Sequence, residues 1–304
     1  MAREAAPRPE EGAGQEPFWF TESLPPYWDQ NLRTQVRVHR VLHDERSPYQ
    51  HIQVFDLGSF GRALLLDGIV QTAEADEFVY HEMVALLPCL QVGRPREALI
   101  IGGGDGGALR QVLRLRSLRR ATVVDLDERV IAVSRRFLPS ISQGAFDDPR
   151  ARVIIGDGLE WAKRFRRRFD VVIVDLTDPT SDGPANPLYS VPFFEDVRRA
   201  LRPRGVVSVQ SGSLTYQADW VRHLRATLSR VFPHVRLHTA MVPSYQAGLY
   251  AFLLASQRPL RRLGRAAFQR RLQEVEGAPR YLSYEVYLAS MALPPYLAES
   301  LEAS

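Results

Sequence analysis

Carboxylate side chains follow several apolar, strand-like runs in this sequence, and one of them lies inside a glycine loop. The run from Leu99 to Gly107 reads Leu-Ile-Ile-Gly-Gly-Gly-Asp-Gly-Gly and leads into an amphipathic helical pattern. That layout is typical of a nucleotide or nucleoside site at the carboxyl end of a parallel sheet. A loop that cradles phosphates uses backbone N–H groups and a helix N-terminus, which favour negative charge. Because the carboxylate of Asp105 would repel a pyrophosphate, the sequence predicts a nucleoside ligand that carries an ammonium or a sulfonium.

Two further carboxylates follow the next two apolar runs. Asp125 ends one run twenty residues after Asp105, where an acid typically binds ribose hydroxyls. A competing interpretation is that Asp125 caps a helix that begins near Glu128. Asp157 precedes Gly158 after the following run, where it could meet the amino group of an adenine. Because Asp and Gly are also common in turns and at helix caps, each acid alone fits a purely structural role as well.

A fourth strand end carries a pair of carboxylates. Asp175 and Asp178 lie at the end of a run that meets Pro179, and the proline excludes a simple continuation of the strand. No lysine or arginine lies within this turn, so a cationic substrate would neutralise both acids. Acids at four successive strand ends predict one shared site at the ligand-binding edge of an open α/β sheet. The histidines lack the spacing of a zinc site, and no Gly-x-Ser-x-Gly elbow indicates an acyl hydrolase.

The period of the apolar residues predicts the elements that position these acids. Apolar strand runs alternate with helical segments, which is typical of a parallel sheet covered on both faces. Two later runs, 235–241 and 248–255, are predicted to form a hairpin beside the parallel strands, because a turn region at Pro243 separates them. The predicted parallel strands are 98–101, 122–125, 151–155, 170–175 and 205–210.

A different pattern precedes this part of the chain. Between residues 35 and 71, apolar and polar residues alternate over short runs, and an Asp-Gly pair at 67–68 signals a tight turn. We therefore expect a small antiparallel sheet. Thr72 is predicted to cap a helix that continues into Leu87 and ends near Pro88.

Length and composition set the broad class of the protein. The 304 residues suffice for one or two domains with a substantial core. Cys89 is the one cysteine, so no internal disulfide forms and no oxidising compartment is required. The net charge is +4, and two of the arginine-rich stretches lie in short connections between strand patterns. Nucleic-acid binding would need such charges on one face with stacking aromatics among them, so we expect solvated surface and no nucleic-acid partner.

The first residues and the hydropathy pattern suggest where the protein works. Residues 1–17 are rich in Pro, Glu, Gly and Ala and are predicted to be a disordered tail. The tail lacks the apolar region of a signal peptide, and no later stretch is long enough to span a membrane. The expectation is a cytoplasmic enzyme without a membrane partner.

The motifs taken together resemble one enzyme family. In order along the chain they are Tyr49-Gln50, 66–71, 76–83, the glycine loop, Asp157-Gly158, 175–179 and the closing 292–297. This combination is similar to the spermidine synthase family of polyamine aminopropyltransferases, from Phe18 to about Leu301. The resemblance implies an α/β fold, with a Rossmann-like (methyltransferase-type) catalytic domain at 76–304 preceded by a small antiparallel β-sheet domain at 18–75. It also implies a homodimer or homotetramer.

The resemblance implies a reaction as well. Decarboxylated S-adenosylmethionine, a co-substrate, gives its aminopropyl group to putrescine, and spermidine and methylthioadenosine form without a prosthetic group or a metal. Asp105 would bind the amino group of the aminopropyl arm, and His81 would lie at the amine site. Asp175 would accept the proton, and the attacking nitrogen would be placed with the help of Asp178, Tyr80 and Tyr245. The residues implied to hold the nucleoside are Gln50, Asp125, Asp157, Gly158 and Pro184.

The residue types suit this chemistry. Ordinary S-adenosylmethionine carries a carboxylate beside its amino group, so Asp105 penalises it relative to the decarboxylated form. Two unit charges about 4 Å apart interact by on the order of 4 kcal/mol at an effective dielectric near 20. The sulfonium is already an activated leaving group, which leaves in-line placement and deprotonation of the amine to the protein.

Three departures from the family pattern keep alternatives open. Asp125 stands where the family usually has Glu. The spacing of the prolines at 179 and 184, with the following Leu188-Tyr189, resembles relatives that use agmatine or make thermospermine from spermidine. The residues at 246–248 differ from the usual spermidine synthase run. The loop 179–189 has the length and turn residues of a lid. A methyltransferase, which shares the fold, and a non-catalytic scaffold are the competing classes, and the acidic set favours aminopropyl transfer over both.

Overall fold

The computed structural model describes residues 16–22, 33–179, 185–245 and 248–302. Within those ranges the strands form a two-stranded, a four-stranded and a seven-stranded sheet. The two small sheets precede the large one along the chain, which confirms the predicted α/β class with a small antiparallel part before a Rossmann-like part. The predicted tail falls outside these ranges except for Glu16 and Pro17, and Pro184 falls outside them too.

The two small sheets are antiparallel, where the alternation between residues 35 and 71 predicts a single antiparallel sheet. The two-stranded sheet consists of β1 (Phe18–Thr21) and β2 (Gln35–Val38). The other sheet is a meander in which Asp67, at φ 51°, and Gly68, at φ 78°, form the turn between its last two strands. Its strands are β3 (Arg40–Arg46), β4 (His51–Asp56), β5 (Arg62–Leu66) and β6 (Ile69–Ala73).

The large sheet contains every strand predicted for the second part of the chain. Its strands are β7 (Glu97–Gly102), β8 (Arg120–Asp125), β9 (Ala151–Ile155), β10 (Phe169–Asp175), β11 (Leu201–Ser213), β12 (His234–Met241) and β13 (Leu249–Ser256). Their order is β12-β13-β11-β10-β7-β8-β9. The strands from β7 to β11 pair in parallel, and β13 pairs antiparallel with both β11 and β12, so the predicted hairpin is confirmed.

The strand order creates a place for a ligand. The chain builds outward from β7 to β8 and β9, then returns to β10 on the opposite side of β7. Neighbouring strand ends therefore lead into loops that diverge, and ligands bind at such a switch point. Residues of β7 alternate between the two faces, with Ile100 in the core on one face and Ile101 in the core on the other. Burial on both faces explains the continuous apolar run before the glycine loop.

Helices cover both faces of the large sheet. In chain order they are α1 (Glu77–His81), a π segment (Glu82–Leu86), α2 (Leu87–Val92), α3 (Gly107–Leu113), α4 (Glu128–Phe137), α5 (Pro139–Ser142), α6 (Gly158–Lys163), α7 (Val191–Ala200), α8 (Ala218–Ser229), α9 (Arg265–Leu272), α10 (Tyr284–Ala289) and α11 (Pro295–Ser300). No helix in the described ranges is long and apolar enough to cross a membrane.

The first helical stretch differs from its prediction at both ends. Thr72 does not cap it, because Thr72 pairs with Leu64 in the β5–β6 ladder, and the helix begins only at Glu77. Pro88 does not end it, because the stretch continues to Val92. The π segment before Pro88 explains this, since the wider turn lets a residue without an N–H group follow without breaking the helix.

Glu82 links this helical stretch to residues 280–282 through hydrogen bonds. Its carboxylate is buried and accepts three backbone N–H groups, from Arg280 at 2.8 Å, Tyr281 at 3.0 Å and Leu282 at 2.8 Å. Backbone donors satisfy the charge where water does not reach. Glu82 therefore has a structural role within the same 76–83 motif that carries the family resemblance.

Candidate active site

A cavity of about 370 Å³ opens at the switch point between β7 and β10. Its walls come from the glycine loop, the ends of β8 and β10, and the four-stranded sheet. The structure brings together these predicted site residues along its lining: Gln50, Tyr80, Asp105, Asp125, Asp157, Gly158, Asp175, Asp178 and Tyr245. His81 lies behind the wall. Acids from four strand ends therefore share one cavity, as the sequence predicts.

Glycines of the loop after β7 allow these strand ends to approach one another. Gly102 has a φ of 80°, and a Cβ there would lie 2.0 Å from the carbonyl oxygen of Asp175. A Cβ at Gly104 would lie 2.7 Å from Oδ2 of Asp125. The clash with backbone and the positive φ mean that Gly102 requires glycine, whereas a Cβ at Gly104 would displace the carboxylate of Asp125. The loop thus draws the acids at the ends of β8 and β10 towards one point.

Asp105 is the cavity end of a row of alternating charges. Its Oδ1 accepts the N–H of Gly107 at 2.7 Å, and its Oδ2 lies 3.2 Å from Nε2 of His81. The other ring nitrogen of His81 lies 2.7 Å from Glu77, which in turn accepts hydrogen bonds from Arg110. Burial alone would raise the pKa of Asp105, but the charge of His81 and these hydrogen bonds lower it. Burial opposes protonation of His81, yet Asp105 and Glu77 raise its pKa to about 10.

His81, which the resemblance implies at the amine site, lies buried beside Asp105. Only 1% of its side chain is exposed, against 12% for Asp105. Both of its ring nitrogens face carboxylates, and none of its atoms lines the cavity. In this structure it contacts Asp105 from the side away from the cavity.

The sequence left two roles open for Asp125, ligand binding and capping of a helix, and in the structure the cap is Asp127. Asp127 is the N-cap of α4, since its Oδ1 accepts the N–H of Arg129 at 3.0 Å. Asp125 therefore does not cap this helix, and its Oδ1 accepts the N–H of Asp127 at 2.9 Å. Oδ2 of Asp127 accepts Nε2 of Gln50 at 2.9 Å and the hydroxyl of Ser47 at 2.6 Å. Asp127 thus fixes Gln50 at the cavity, and an Asp directly before the helix-starting Glu128 was the signal for this cap.

Asp157 and Gly158 lie at the rim of the cavity. Asp157 is exposed and caps α6, with its Oδ1 accepting the N–H of Leu159 at 2.8 Å. A Cβ at Gly158 would lie 2.4 Å from Cγ2 of Ile101, so no side chain fits there. The cap role and a role in ligand binding are compatible, because the second carboxylate oxygen of Asp157 remains for a ligand.

Asp175 lies beneath the glycine loop and accepts a hydrogen bond from the buried Tyr80. The hydroxyl of Tyr80 donates to Oδ1 of Asp175 at 2.5 Å. Burial and the nearby charge of Asp105 raise the pKa of Asp175 to about 6, while His81 and the bond from Tyr80 act in the opposite direction. The cavity therefore holds a carboxyl group poised to exchange a proton close to neutral pH.

Asp178 is held by two buried amide side chains. Nε2 of Gln210 and Nε2 of Gln217 each donate to it at 3.1 Å, one to each carboxylate oxygen. The hydroxyl of Tyr250 donates to Oε1 of Gln210 at 2.6 Å, which orients that amide. Burial raises the pKa of Asp178. Because both amide donors are neutral, they orient the carboxylate without cancelling its charge.

Aromatic rings form the wall beside these two acids. The ring centroid of Tyr80 lies 5.7 Å from that of Tyr245 and 5.9 Å from that of Tyr250. The hydroxyl of Tyr245 donates to the carbonyl oxygen of Gln71 at 2.6 Å, which links this wall to β6. Flat apolar faces beside carboxylates suit an alkyl chain with a charged end.

Glu22 is a cavity residue that the sequence reasoning missed. It follows β1, lines the cavity and is buried. Its Oε1 accepts the N–H of Val70 at 2.8 Å, its Oε2 accepts the hydroxyl of Thr34, and burial raises its pKa. An acid directly after the aromatic run Phe-Trp-Phe-Thr was the available signal. No group of three or more His, Cys, Asp or Glu side chains in the described ranges has the arrangement of a metal site.

Because several carboxylates lie close together in the cavity, we predict that the ligand-free enzyme is more stable when Asp125 is replaced by a neutral residue. Burial, with the charges of Asp127 and Asp105, raises the pKa of Asp125 to about 6. The folded state then binds the proton more tightly than the unfolded state, so stability falls as pH rises through about 6. We expect Asp125→Asn to raise the Tm of the ligand-free enzyme by a few degrees at pH 8 and by much less near pH 4.

The check is a series of thermal melts across this pH range. Asp157→Asn is the matched control, because it changes an exposed acid of the same rim to another good helix cap and is expected to shift Tm little at any pH. A lower Tm for Asp125→Asn at pH 8 would contradict the expectation.

Comparisons with known proteins agree with this geometry. A family model described as the spermine/spermidine synthase domain matches residues 77–263. A second, described as the spermidine synthase tetramerisation domain, matches residues 18–74.

Individual relatives cover almost the whole chain. The polyamine aminopropyltransferase of Moorella thermoacetica is 40% identical over 94% of this chain and 97% of its own length. That of Desulforudis audaxviator is 39% identical over 93% of this chain and 98% of its own. Spermidine synthase from Thermotoga maritima superposes with a TM-score of 0.83 at 33% identity, covering 99% of this chain and 98% of that one. A spermidine synthase in complex with the transition-state analogue AdoDATO gives 0.84 at 32% identity, with the same coverage.

Fold and cavity define an α/β enzyme with a carboxylate-lined site at the switch point of its sheet. The chain belongs to the spermine and spermidine synthase family and is an aminopropyltransferase of the spermidine synthase type.

Proposed function

We propose that this enzyme transfers the aminopropyl group of decarboxylated S-adenosylmethionine to putrescine, giving spermidine and methylthioadenosine. The observation that carries the proposal is the ionised Asp105 inside the glycine loop, with one edge of its carboxylate open to the cavity. It attracts the ammonium of the aminopropyl arm and repels the extra carboxylate of ordinary S-adenosylmethionine. The likeness to a spermidine synthase that binds a transition-state analogue supports this proposal.

The nucleoside would be held by residues from three strand ends and from the small sheet. Gln50 and Asp125, which line the cavity, would bind the ribose hydroxyls, and Asp157 with Gly158 would bind the adenine. Asp127 supports this assignment indirectly, because it fixes the amide of Gln50 so that its carbonyl oxygen remains for a hydroxyl donor.

The proposed chemical step is a direct displacement. The attacking ammonium of putrescine first gives one proton to the protein, and the nitrogen lone pair so freed forms a bond to the methylene carbon beside the sulfonium as the carbon–sulfur bond breaks. The sulfur keeps that electron pair and leaves as neutral methylthioadenosine, and the positive charge of the sulfonium passes to the new secondary nitrogen. Holding nitrogen, carbon and sulfur in line removes much of the entropic part of the barrier.

Asp175 is the proposed proton acceptor. Its raised pKa narrows the gap to an amine whose own pKa falls on burial, so proton transfer becomes less uphill. The hydrogen bond from Tyr80 orients the carboxylate, and the amide-held Asp178 with Tyr245 would position the acceptor amine.

We further propose that the chain works as a homodimer or homotetramer. The match of residues 18–74 to a tetramerisation domain supports a homo-oligomer. Trp19 of β1 is 65% exposed in the single chain, and an exposed aromatic of this size suits an interface.

A product assay by mass spectrometry tests the proposed function. Purified enzyme is incubated with decarboxylated S-adenosylmethionine and, in separate reactions, putrescine, agmatine, spermidine or no amine. Methylthioadenosine together with spermidine, formed fastest from putrescine, is the expected result. Preference for agmatine or spermidine would overturn the acceptor and keep the transfer chemistry. Absence of methylthioadenosine with every amine would overturn the reaction.

A further inference from the structure

The histidine behind the glycine loop has no place in the reaction described so far. His81 is buried, and its two ring nitrogens lie 2.7 Å from Oε2 of Glu77 and 3.2 Å from Oδ2 of Asp105. An ionised carboxylate only accepts hydrogen bonds, so each ring nitrogen must donate. With both carboxylates ionised the ring between them is an imidazolium, and the raised pKa of His81 and the lowered pKa of Asp105 agree with this arrangement.

This imidazolium belongs to a row of four alternating charges. Arg110 donates hydrogen bonds to both oxygens of Glu77 at 2.9 and 2.7 Å. The two ring nitrogens of His81 then donate to Glu77 on one side and to Asp105 on the other. Glu77 and His81 each lie between two opposite charges, Arg110 ends the row on one side, and Asp105 ends it at the cavity. Opposite charges on both sides make burial of the inner two tolerable, and the row presents one negative end to a ligand.

We propose that His81 is a positioning residue for the donor: it keeps Asp105 ionised and aims its carboxylate at the ammonium of the aminopropyl arm, without touching either substrate. The inference rests on the proposed function of Asp105. Without His81, Oδ1 of Asp105 still accepts the N–H of Gly107, but Oδ2 loses the partner that His81 provides. Asp175 and Asp125 lie near enough for their charges to act on Asp105, and both would then favour its protonation.

The last glycine of the loop fits this role. A Cβ at Gly107 would lie 2.2 Å from Cε1, 2.4 Å from Nδ1 and 2.5 Å from Nε2 of His81. The backbone at Gly107 therefore packs directly on the imidazolium. Gly107 is required for the histidine rather than for the nucleoside, and it pairs one residue of the glycine loop with one residue of α1.

A double-mutant cycle read with two ligands tests the proposal. Affinities for decarboxylated S-adenosylmethionine and for methylthioadenosine, which lacks the aminopropyl arm, are measured by calorimetry for wild type, His81→Gln, Asp105→Asn and the double variant. We expect His81→Gln to weaken the decarboxylated donor by about tenfold or more and to leave methylthioadenosine within about twofold. In the Asp105→Asn background the same change is expected to leave methylthioadenosine unchanged and no longer to weaken the decarboxylated donor, because the carboxylate through which His81 acts is absent and the remaining imidazolium only repels the ammonium.

Steady-state kinetics give a second readout. His81→Gln is expected to raise the KM for the donor while kcat and the KM for the amine change little, because the proposed role ends before the chemical step. His223→Gln makes the same chemical change at an exposed position of α8 and is the matched control, expected to change neither ligand. Gly107→Ala displaces the imidazolium without removing it and is expected to repeat the donor-selective loss, so the test survives if His81→Gln folds poorly.

The outcomes separate this inference from the function on which it rests. If Asp105→Asn leaves binding of the decarboxylated donor unchanged, the proposed function of the site falls, and the inference with it. If Asp105→Asn weakens the donor but His81→Gln and Gly107→Ala do not, only the inference falls. Equal losses for both ligands would show a merely structural histidine, and a raised KM for the amine alone would place His81 at the acceptor; either result overturns the proposal.

Discussion

Replacing Asp175 by asparagine is expected to lower kcat by about 10²- to 10⁴-fold while leaving the affinity for methylthioadenosine within about twofold of wild type. Asparagine keeps the shape of the side chain, and its Oδ1 still accepts the hydroxyl of Tyr80. What it removes is the group that takes the proton of the attacking amine. Because the nucleoside is held by other residues, the loss is confined to the chemical step.

The pH profile of the same pair of enzymes makes the test specific. With the pKa of Asp175 raised to about 6, kcat/KM of the wild type is expected to fall as pH decreases through that value. The residual activity of Asp175→Asn should lack this acid limb. Loss of kcat with the limb retained would assign the titration to another group, Asp125 being the next with a pKa of about 6.

Tyr80→Phe is the matched control for Asp175. It removes the hydrogen bond to Asp175 and keeps the carboxylate. That bond lowers the pKa of Asp175, so its loss is expected to move the acid limb to higher pH. A reduction in kcat as large as that of Asp175→Asn would contradict the assignment of the base to the carboxylate.

The strands and the acids that follow them were accessible from the sequence because both obey local rules. Strands buried on both faces give continuous apolar runs, and a chain leaving such a strand turns at Gly, Asp or Pro, so the runs ending at Ile101 and Asp175 were unambiguous. The sheet rule that places ligands at carboxyl ends then assigned the acids of all four strand ends to one edge.

Features that depend on contacts between distant residues were not accessible. Thr72 follows a plausible capping pattern, yet pairing of β6 with β5 determines its conformation. Pro88 looks like a helix end until the π segment before it is known. His81 reads as a ligand-binding residue, and only the fold shows that Glu77 and Asp105 occupy both of its nitrogens. Glu22 reaches the cavity through the pairing of its backbone and side chain with Thr34 and Val70.

Asp105→Asn is expected to weaken decarboxylated S-adenosylmethionine by about 30-fold to 10³-fold and to weaken ordinary S-adenosylmethionine far less. A charge interaction at about 4 Å and an effective dielectric near 20 is on the order of 4 kcal/mol. Losing half of it weakens binding by about 30-fold, and losing all of it by about 10³-fold. Competition against methylthioadenosine in a binding titration measures both ligands on one scale.

A control separates charge from the shape of the site. Asp157→Asn removes a carboxylate from the rim, beside the proposed adenine, and is expected to affect the two forms of the donor equally. Equal losses for both forms in Asp105→Asn would show that Asp105 shapes the loop rather than selects the ligand.

Because His81 lies behind position 105, we expect the selectivity of Asp105→Asn between the two forms of the donor to depend on pH. In Asp105→Asn the charge of His81 is no longer balanced on its cavity side, and an imidazolium there repels the ammonium and attracts the carboxylate of ordinary S-adenosylmethionine. Loss of Asp105 also removes a main cause of the raised pKa of His81, so its proton is expected to leave at lower pH than in the wild type. Selectivity for the decarboxylated form should therefore be lowest in acid and recover partly as pH rises. A pH-independent selectivity in this variant would mean that the row of charges does not act on the ligand.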